Sequence, residues 1–257
     1  MKTALTIGGS DPTGLAGIQS DLSTFASFKV RGLSAVTAVT AQTGKKVFEI
    51  KPLSSSLLRK QIETLLKEYR IDAIKIGMLG TKENVETVRK IIKKRKLGNI
   101  ALDPVLISTS GRRLLAKDGI KALKLLLPLV TIVTPNITEA ETISGIKIKT
   151  VPPFRKGRSG GINEEDMEKA ARAIHSLGPK YVLIKGGHLK GAPIDTLFDG
   201  KRFYLYKGKR LKGRKEKFHG TGCLLSSAIA AGLANGIDIR LAVKTAKEYL
   251  RKTIMTR

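Results

Sequence analysis

The sequence predicts an α/β fold, a doubly wound, largely parallel central sheet with helices on both faces and an antiparallel edge hairpin. Three observations carry that expectation. Short apolar or β-branched runs alternate with amphipathic helical stretches along most of the chain. Glycine-rich turns follow the strands, as in Gly8-Gly9 and Gly77-Met78-Leu79-Gly80. Two short strands joined at Asp199-Gly200 read as a hairpin late in the chain. At 257 residues and 41% hydrophobic content, residues 1–257 are expected to form one domain.

Lys2 to Ile7 reads as a short buried strand running into Gly8-Gly9-Ser10-Asp11-Pro12-Thr13-Gly14, a loop that opens a helix from about Ala16 to Phe28. The dinucleotide pattern G-x-G-x-x-G is absent, so these glycines read as places where a substrate approaches the backbone. Asp21 falls inside the helix, where a solvated side chain is the default. Leu33 to Thr40 is the next strand and places Gln42 at its carboxyl end, where open α/β sheets bind ligands. Ser54 to Tyr69 carries Leu57, Leu58, Ile62, Leu65 and Leu66 at helical spacing opposite a Lys/Glu face. After a strand from Ile71 to Ile76, Thr81 caps a helix with Glu83 and Glu86 early, Lys93 to Lys96 late and Gly98 past its end. Ile100 to Leu102 then brings Asp103 to the ligand edge, either as a metal candidate or as an ordinary Asp-Pro turn.

Leu129 to Val133 is a further strand, and Asn136 with Glu139 match a capping box, which accounts for both residues without any function. Residues 147 to 163 form a Pro, Gly and Lys-rich loop of the length associated with lids. Asn163 starts a helix closed by Gly178-Pro179, and Tyr181 to Lys185 is a strand followed by Gly186-Gly187-His188. The hairpin strands run from Ile194 to Asp199 and from Arg202 to Tyr206, and the chain ends in a basic helix from about Asp238 to Lys252. Gln42, Met78, Asp103, Glu139 and Lys185 thus follow strands on what should be one edge of the sheet.

The stretch facing that edge is Gly220-Thr221-Gly222-Cys223, directly ahead of an Ala-rich run that reads as a helix to Gly232. Unpaired backbone N–H groups and a positive dipole end converge there, so the loop suits an anion. No Walker-type G-x-x-x-x-G-K-[ST] string occurs. Cys223 is the only cysteine, and a helix N-terminus lowers a thiol's pKa from ~8.5 toward neutrality, which makes it a candidate base for a bound hydroxyl. The competing reading is a small buried hydrophobe beside a packing glycine turn.

The net charge of +27 raises the question of nucleic acid. Basic residues collect in Arg89 to Lys96, Lys147 to Arg158 and Lys201 to Lys217, with sparse aromatics and no RNP, KH or helix-turn-helix pattern, so a solvated surface is preferred. A positive rim would still draw anionic nucleotides to a cleft. The N-terminus reaches Gly8-Gly9 too soon for a signal core and no apolar run is long enough to span a membrane, so a cytoplasmic chain without membrane contact is expected. A single cysteine suits a reducing compartment.

Several motifs occur in register along nearly the whole chain: Gly8 to Gly14 with Ala16 to Leu22, Thr40-Ala41-Gln42, Lys75-Ile76-Gly77-Met78-Leu79, Asp103-Pro104-Val105, Thr134-Pro135-Asn136-x-x-Glu139, Lys185-Gly186-Gly187-His188 and His219-Gly220-Thr221-Gly222-Cys223. Together they resemble the hydroxymethylpyrimidine/phosphomethylpyrimidine kinases of thiamine biosynthesis, in the ribokinase-like superfamily. The resemblance implies ATP-dependent phosphorylation of 4-amino-5-hydroxymethyl-2-methylpyrimidine and then of its monophosphate, with Mg2+, in a homodimer. It implies a pyrimidine pocket at Asp21, Gln42, Met78 and Val105, with Asp103 and Glu139 orienting magnesium. It further implies nucleotide contacts from Lys185, Thr221, Asn136 and Glu139, and catalysis by Cys223 with Gly220, Thr221 and Gly222. Leu15 stands where the family usually has glycine, the loop from Lys147 to Gly161 is long, and Lys201 to Lys217 is unusually basic. A pyridoxal kinase of the same fold and a basic nucleic-acid-binding protein on a kinase scaffold are the alternatives.

Overall fold

The computed structural model describes residues 1–108, 111–151, 161–187, 193–208 and 218–256. Among these the strands are, in chain order, β1 (Thr3–Ser10), β2 (Arg31–Gln42), β3 (Val47–Pro52), β4 (Ala73–Ile76), β5 (Ile100–Leu102), β6 (Ile132–Val133), β7 (Thr150–Val151), β8 (Gly161–Ile162), β9 (Tyr181–Ile184), β10 (Ile194–Phe198) and β11 (Phe203–Lys207). The helices are α1 (Gly17–Ser27), α2 (Ser55–Glu68), α3 (Lys82–Arg95), α4 (Lys117–Leu126), α5 (Ile137–Ser144), α6 (Glu164–His175), α7 (Thr221–Ala234) and α8 (Ile239–Thr256).

The main sheet has nine strands in the order β11-β10-β9-β6-β5-β4-β1-β2-β3. Its middle is parallel, from β2 through β1, β4, β5 and β6 to β9. Both edges are antiparallel: β10 and β11 form the expected hairpin, and β3 turns back on β2. Period-two alternation splits the core between the two faces. Leu5, Ile7, Ile74, Ile76, Ile100 and Leu102 pack with Leu58, Val85, Val88, Leu123 and Ile174 from α2, α3, α4 and α6. The intervening Ala4, Ala73 and Ala101 meet Phe25, Leu225, Ile229 and Val243 from α1, α7 and α8. Those alanines let α7 lie close to the sheet, and α7 is buried from Leu224 to Ala234. A β-carbon on its Gly232 would fall 2.9 Å from that of Ala242 on α8.

Several local expectations change. The edge strand β3 and helix α4 have weak sequence signals. In β3, Phe48, Glu49 and Lys51 are all exposed, so the apolar alternation that marks a strand is missing. Helix α4 contains Gly119 and starts at Ala116 with no side-chain cap. At the end of α3 it is Lys96, not Gly98, that takes the left-handed conformation, at φ 49°. The ends of the expected lid pair as β7 and β8, while residues 152–160 lie outside the described residues, as do 209–217 of the basic segment and His188.

Candidate active site

The parallel strands deliver their residues to one edge, and backbone bonds continue past the strand ends to fix them. Asp103 N–H donates to the Ile76 carbonyl at 2.8 Å, Thr134 N–H to Leu102 at 2.9 Å and Lys185 N–H to Pro135 at 2.8 Å. Two of these residues meet through side chains: Lys185 Nζ donates to Asp103 Oδ1 at 2.7 Å, joining positions 82 residues apart. Burial pulls the Lys185 ammonium down, but Asp103 and Glu139 outweigh it and hold Lys185 above its ordinary value.

The capping box at α5 is present in both arms. Asn136 Oδ1 accepts from Glu139 N–H at 2.9 Å, and Glu139 Oε2 accepts from Asn136 N–H at 2.8 Å. Glu139 is nevertheless more than a cap. Burial pushes its carboxyl up to about 7, Lys185 opposes that and the charge of Asp103 adds to it. Two neighbouring carboxylates whose repulsion raises one of them form a donor set that a divalent cation would relieve. Among the described residues no group of three or more His, Cys, Asp or Glu side chains is arranged to hold a metal by itself. The folded pKa of Glu139 lies above the unfolded one, so its contribution to stability is complete below about 4.5 and is lost as pH rises through about 7. The ligand-free protein is expected to lose stability on the order of 3 kcal/mol across that window, and Glu139→Gln to flatten the slope in denaturant titrations at each pH.

Gly220 caps α7 in the left-handed conformation, at φ 76°, and no side chain caps this helix end. A β-carbon there would fall 1.8 Å from the Leu15 carbonyl oxygen, so only glycine fits where the first loop and this loop touch. At Gly222 the same construction reaches Asp103 Oδ2 at 3.2 Å and Lys185 Nζ at 3.3 Å. The loop backbone therefore lies directly against the acid–lysine pair, and the positive end of α7 adds to the Lys185 charge. The Thr221 hydroxyl donates back to the Phe218 carbonyl at 3.0 Å.

Cys223 corrects one expectation. Burial pushes its thiol up to about 11, and neither Lys75 nor the Gly17 N–H, both of which favour the thiolate, reverses this because Asp21 and Asp103 act against them. The residue retains some exposed surface, but burial of the thiol favours its protonated form.

Asp21 corrects another. Far from solvated, it is fully buried beneath the loop. Its carboxylate accepts from Lys75 Nζ at 2.8 and 2.9 Å, from the Thr6 hydroxyl at 2.6 Å and from the Ser227 hydroxyl at 2.6 Å. These contacts hold its oxygens inside the protein, so Asp21 ties α1, β1, β4 and α7 together. Burial pulls Lys75 down, yet Asp21 with Cys223 and Asp103 holds it well above the usual lysine range. Removing one partner strands a buried charge, so Lys75→Met or Asp21→Asn is expected to cost about 3–5 kcal/mol in urea unfolding. The double variant is expected to recover part of that loss.

The first loop is organised by Asp11. It accepts from Thr13 N–H at 2.8 Å and Ala16 N–H at 2.9 Å, and His219 Nε2 stands 3.6 Å away. Burial pulls its carboxyl up, but hydrogen bonds from His219, Gln42 and Thr13 prevail and hold it far below the usual carboxylate range. Met78 leans on Gly9, whose β-carbon would lie 3.2 Å from Met78 Sδ, and its carbonyl accepts from the Thr37 hydroxyl at 2.6 Å. Val105 turns over the Asp103 carbonyl at 2.9 Å.

Residues 11–257 match the family model described as phosphomethylpyrimidine kinase. The chain belongs to that family. A hydroxymethylpyrimidine/phosphomethylpyrimidine kinase of Aquifex aeolicus is 40% identical over 253 residues, covering 98% of this chain and 93% of the relative. The crystal structure of a phosphomethylpyrimidine kinase from Clostridium difficile 630 superposes with a TM-score of 0.83 at 39% identity, covering 99% and 100% of the two chains. A Bacillus subtilis pyridoxal kinase, solved as an ADP complex, gives 0.82 at 34% identity, covering 96% and 89%. Within this phosphomethylpyrimidine kinase fold, sequence reasoning had not assigned Asp11, His219 or Lys75 to the site. A charged residue inside the apolar strand Ala73-Ile74-Lys75-Ile76 was the available signal for the last of them.

Proposed function

We propose that this chain phosphorylates 4-amino-5-hydroxymethyl-2-methylpyrimidine with ATP, and then converts the monophosphate to the diphosphate, as one kinase domain over residues 1–257. The observation that carries the proposal is Gly222 lying against the Asp103–Lys185 pair, which brings the N-terminal backbone of α7, an ammonium and a carboxylate together at the ligand edge of the sheet. Phosphoryl transfer asks chiefly for positioning and charge neutralisation, and this arrangement offers both. The substrate hydroxyl oxygen bonds to the γ-phosphorus, the bond to the bridging oxygen of ADP breaks, and the hydroxyl proton leaves. Lys185, Thr221, Asn136 and Glu139 are assigned to the nucleotide, and Gly220 to Gly222 to the transferred group. Asp103 and Glu139 would hold magnesium brought with the nucleotide, where it would supply charge neutralisation on the phosphates. Two carboxylates plus phosphate oxygens suit that ion.

Gln42 offers the amide donor and acceptor that an aminopyrimidine edge requires, with Met78 and Val105 as apolar walls. Asp21 belongs to this pocket as its buried support. Cys223 takes the hydroxyl proton through its thiolate fraction, so turnover depends on pH. Exposed Val39, Phe48 and Ile107 on and near the β2–β3 edge favour a homodimer. Among the described residues no helix is long and apolar enough to cross a membrane. A lone thiol suits the reducing cytoplasm.

The similarity to a pyridoxal kinase keeps a second acceptor in view. Steady-state turnover of the pyrimidine, its monophosphate and pyridoxal separates the two readings. The pyrimidine is expected to have the higher kcat/KM, and a preference for pyridoxal would reject the assignment.

A further inference from the structure

Strands β9 and β10 pair as far as Ile184 with Thr196. Beyond that point the chain of β9 turns into the site as Lys185-Gly186-Gly187. On one flank Lys185 is still held by backbone, through its N–H to Pro135 and a bridge to Asn136. On the other flank a side chain replaces the ladder: Gly186 N–H donates to Asp195 Oδ1 at 2.9 Å. The second oxygen of Asp195 accepts from Lys247 Nζ on α8, and Lys247 also donates to the Tyr206 carbonyl of β11 at 3.1 Å. Asp195 is buried, and Lys247 is the cation that compensates its charge.

We propose that Asp195, braced by Lys247, is a positioning residue that sets the turn Lys185-Gly186-Gly187 for the nucleotide. An amide-only acceptor would satisfy Gly186, but the charged pair adds a second anchor, so α8 and the β10–β11 hairpin fix the turn together. Because Lys185 precedes Gly186 directly, a shift of this amide moves the lysine that meets Asp103. The inference rests on the proposed assignment of Lys185 to the nucleotide.

The test measures ADP affinity by calorimetry, the KM values for ATP and for the pyrimidine, and thermal stability, all on the full chain. Asp195→Ala is expected to weaken ADP binding and raise the ATP KM at least ~10-fold, with the pyrimidine KM within about twofold of wild type. Asp195→Asn keeps an acceptor for Gly186 but turns an amide N–H₂ toward Lys247, so it is expected to lose ADP affinity by less than the alanine variant does. An Asp195→Ala variant with a lowered melting temperature but unchanged ADP affinity would overturn the proposal, as would an asparagine variant as impaired as the alanine one. If Asp195→Ala does not fold, Lys247→Met carries the test: a loss of ADP affinity of at least about threefold supports the proposal, and unchanged affinity overturns it. ADP binding needs no acceptor substrate, so wild-type protein that binds ADP but phosphorylates neither pyrimidine nor pyridoxal rejects the functional reading and leaves this one standing.

Discussion

Replacing Gly220 with alanine is expected to lower kcat/KM by at least ~10²-fold. The added carbon would sit 1.8 Å from the Leu15 carbonyl oxygen, well inside van der Waals contact, in a residue whose φ of 76° already disfavours a side chain. The conformational penalty is only about 1–2 kcal/mol. The collision is the larger effect, because either the first loop or the α7 loop must move by an ångström or more. Gly222, two residues on, would then leave the Asp103–Lys185 pair. Kinetics with both substrates beside a thermal melt check this. A variant that melts early but keeps wild-type kcat/KM would mean that the contact between the loops is structural only.

Cys223→Ala is expected to reduce kcat by ~10²-fold at pH 7.5, the low end of what a general base contributes, with ATP affinity little changed. The low end follows from burial, which holds the thiol near 11 and leaves a thiolate fraction on the order of 10⁻⁴ at neutral pH. For the same reason wild-type kcat should climb between pH 7.5 and 9.5 as the thiolate population grows, and the alanine variant should lose that climb. Cys223→Asp is expected to restore part of the rate and flatten the profile, since a carboxylate is ionised across this range. The decisive comparison is the two pH profiles at saturating substrate. Coincident profiles would reduce Cys223 to a packing residue.

Much of this architecture was legible in the chain because its cues are local. Strand ends followed by Gly, Asp or Lys mark the ligand edge, and Asp103 and Lys185 were both identified that way. Their direct pairing was not legible, since it depends on β5 and β9 flanking β6. Asp21 reads as solvated from sequence for a related reason. Nothing within α1 reveals that Ser227, 206 residues later, covers it, and the conflict that pointed to a buried partner lay at Lys75 on another strand. For Cys223 the local rule is incomplete: what favours the thiolate is Lys75 and the Gly17 N–H, and burial together with Asp21 and Asp103 outweighs them. The edge strand β3 was missed because tertiary pairing with β2, not apolar alternation, makes it a strand.

Phosphorus NMR of the wild-type protein mixed with ATP, magnesium and 4-amino-5-hydroxymethyl-2-methylpyrimidine tests the central claim most directly. A monophosphate ester resonance should rise first and then give way to a diphosphate pair, with ADP accumulating in step and with Lys185→Met suppressing both stages. Steady hydrolysis of ATP without any new phosphate ester, or no consumption of ATP at all, would contradict the account.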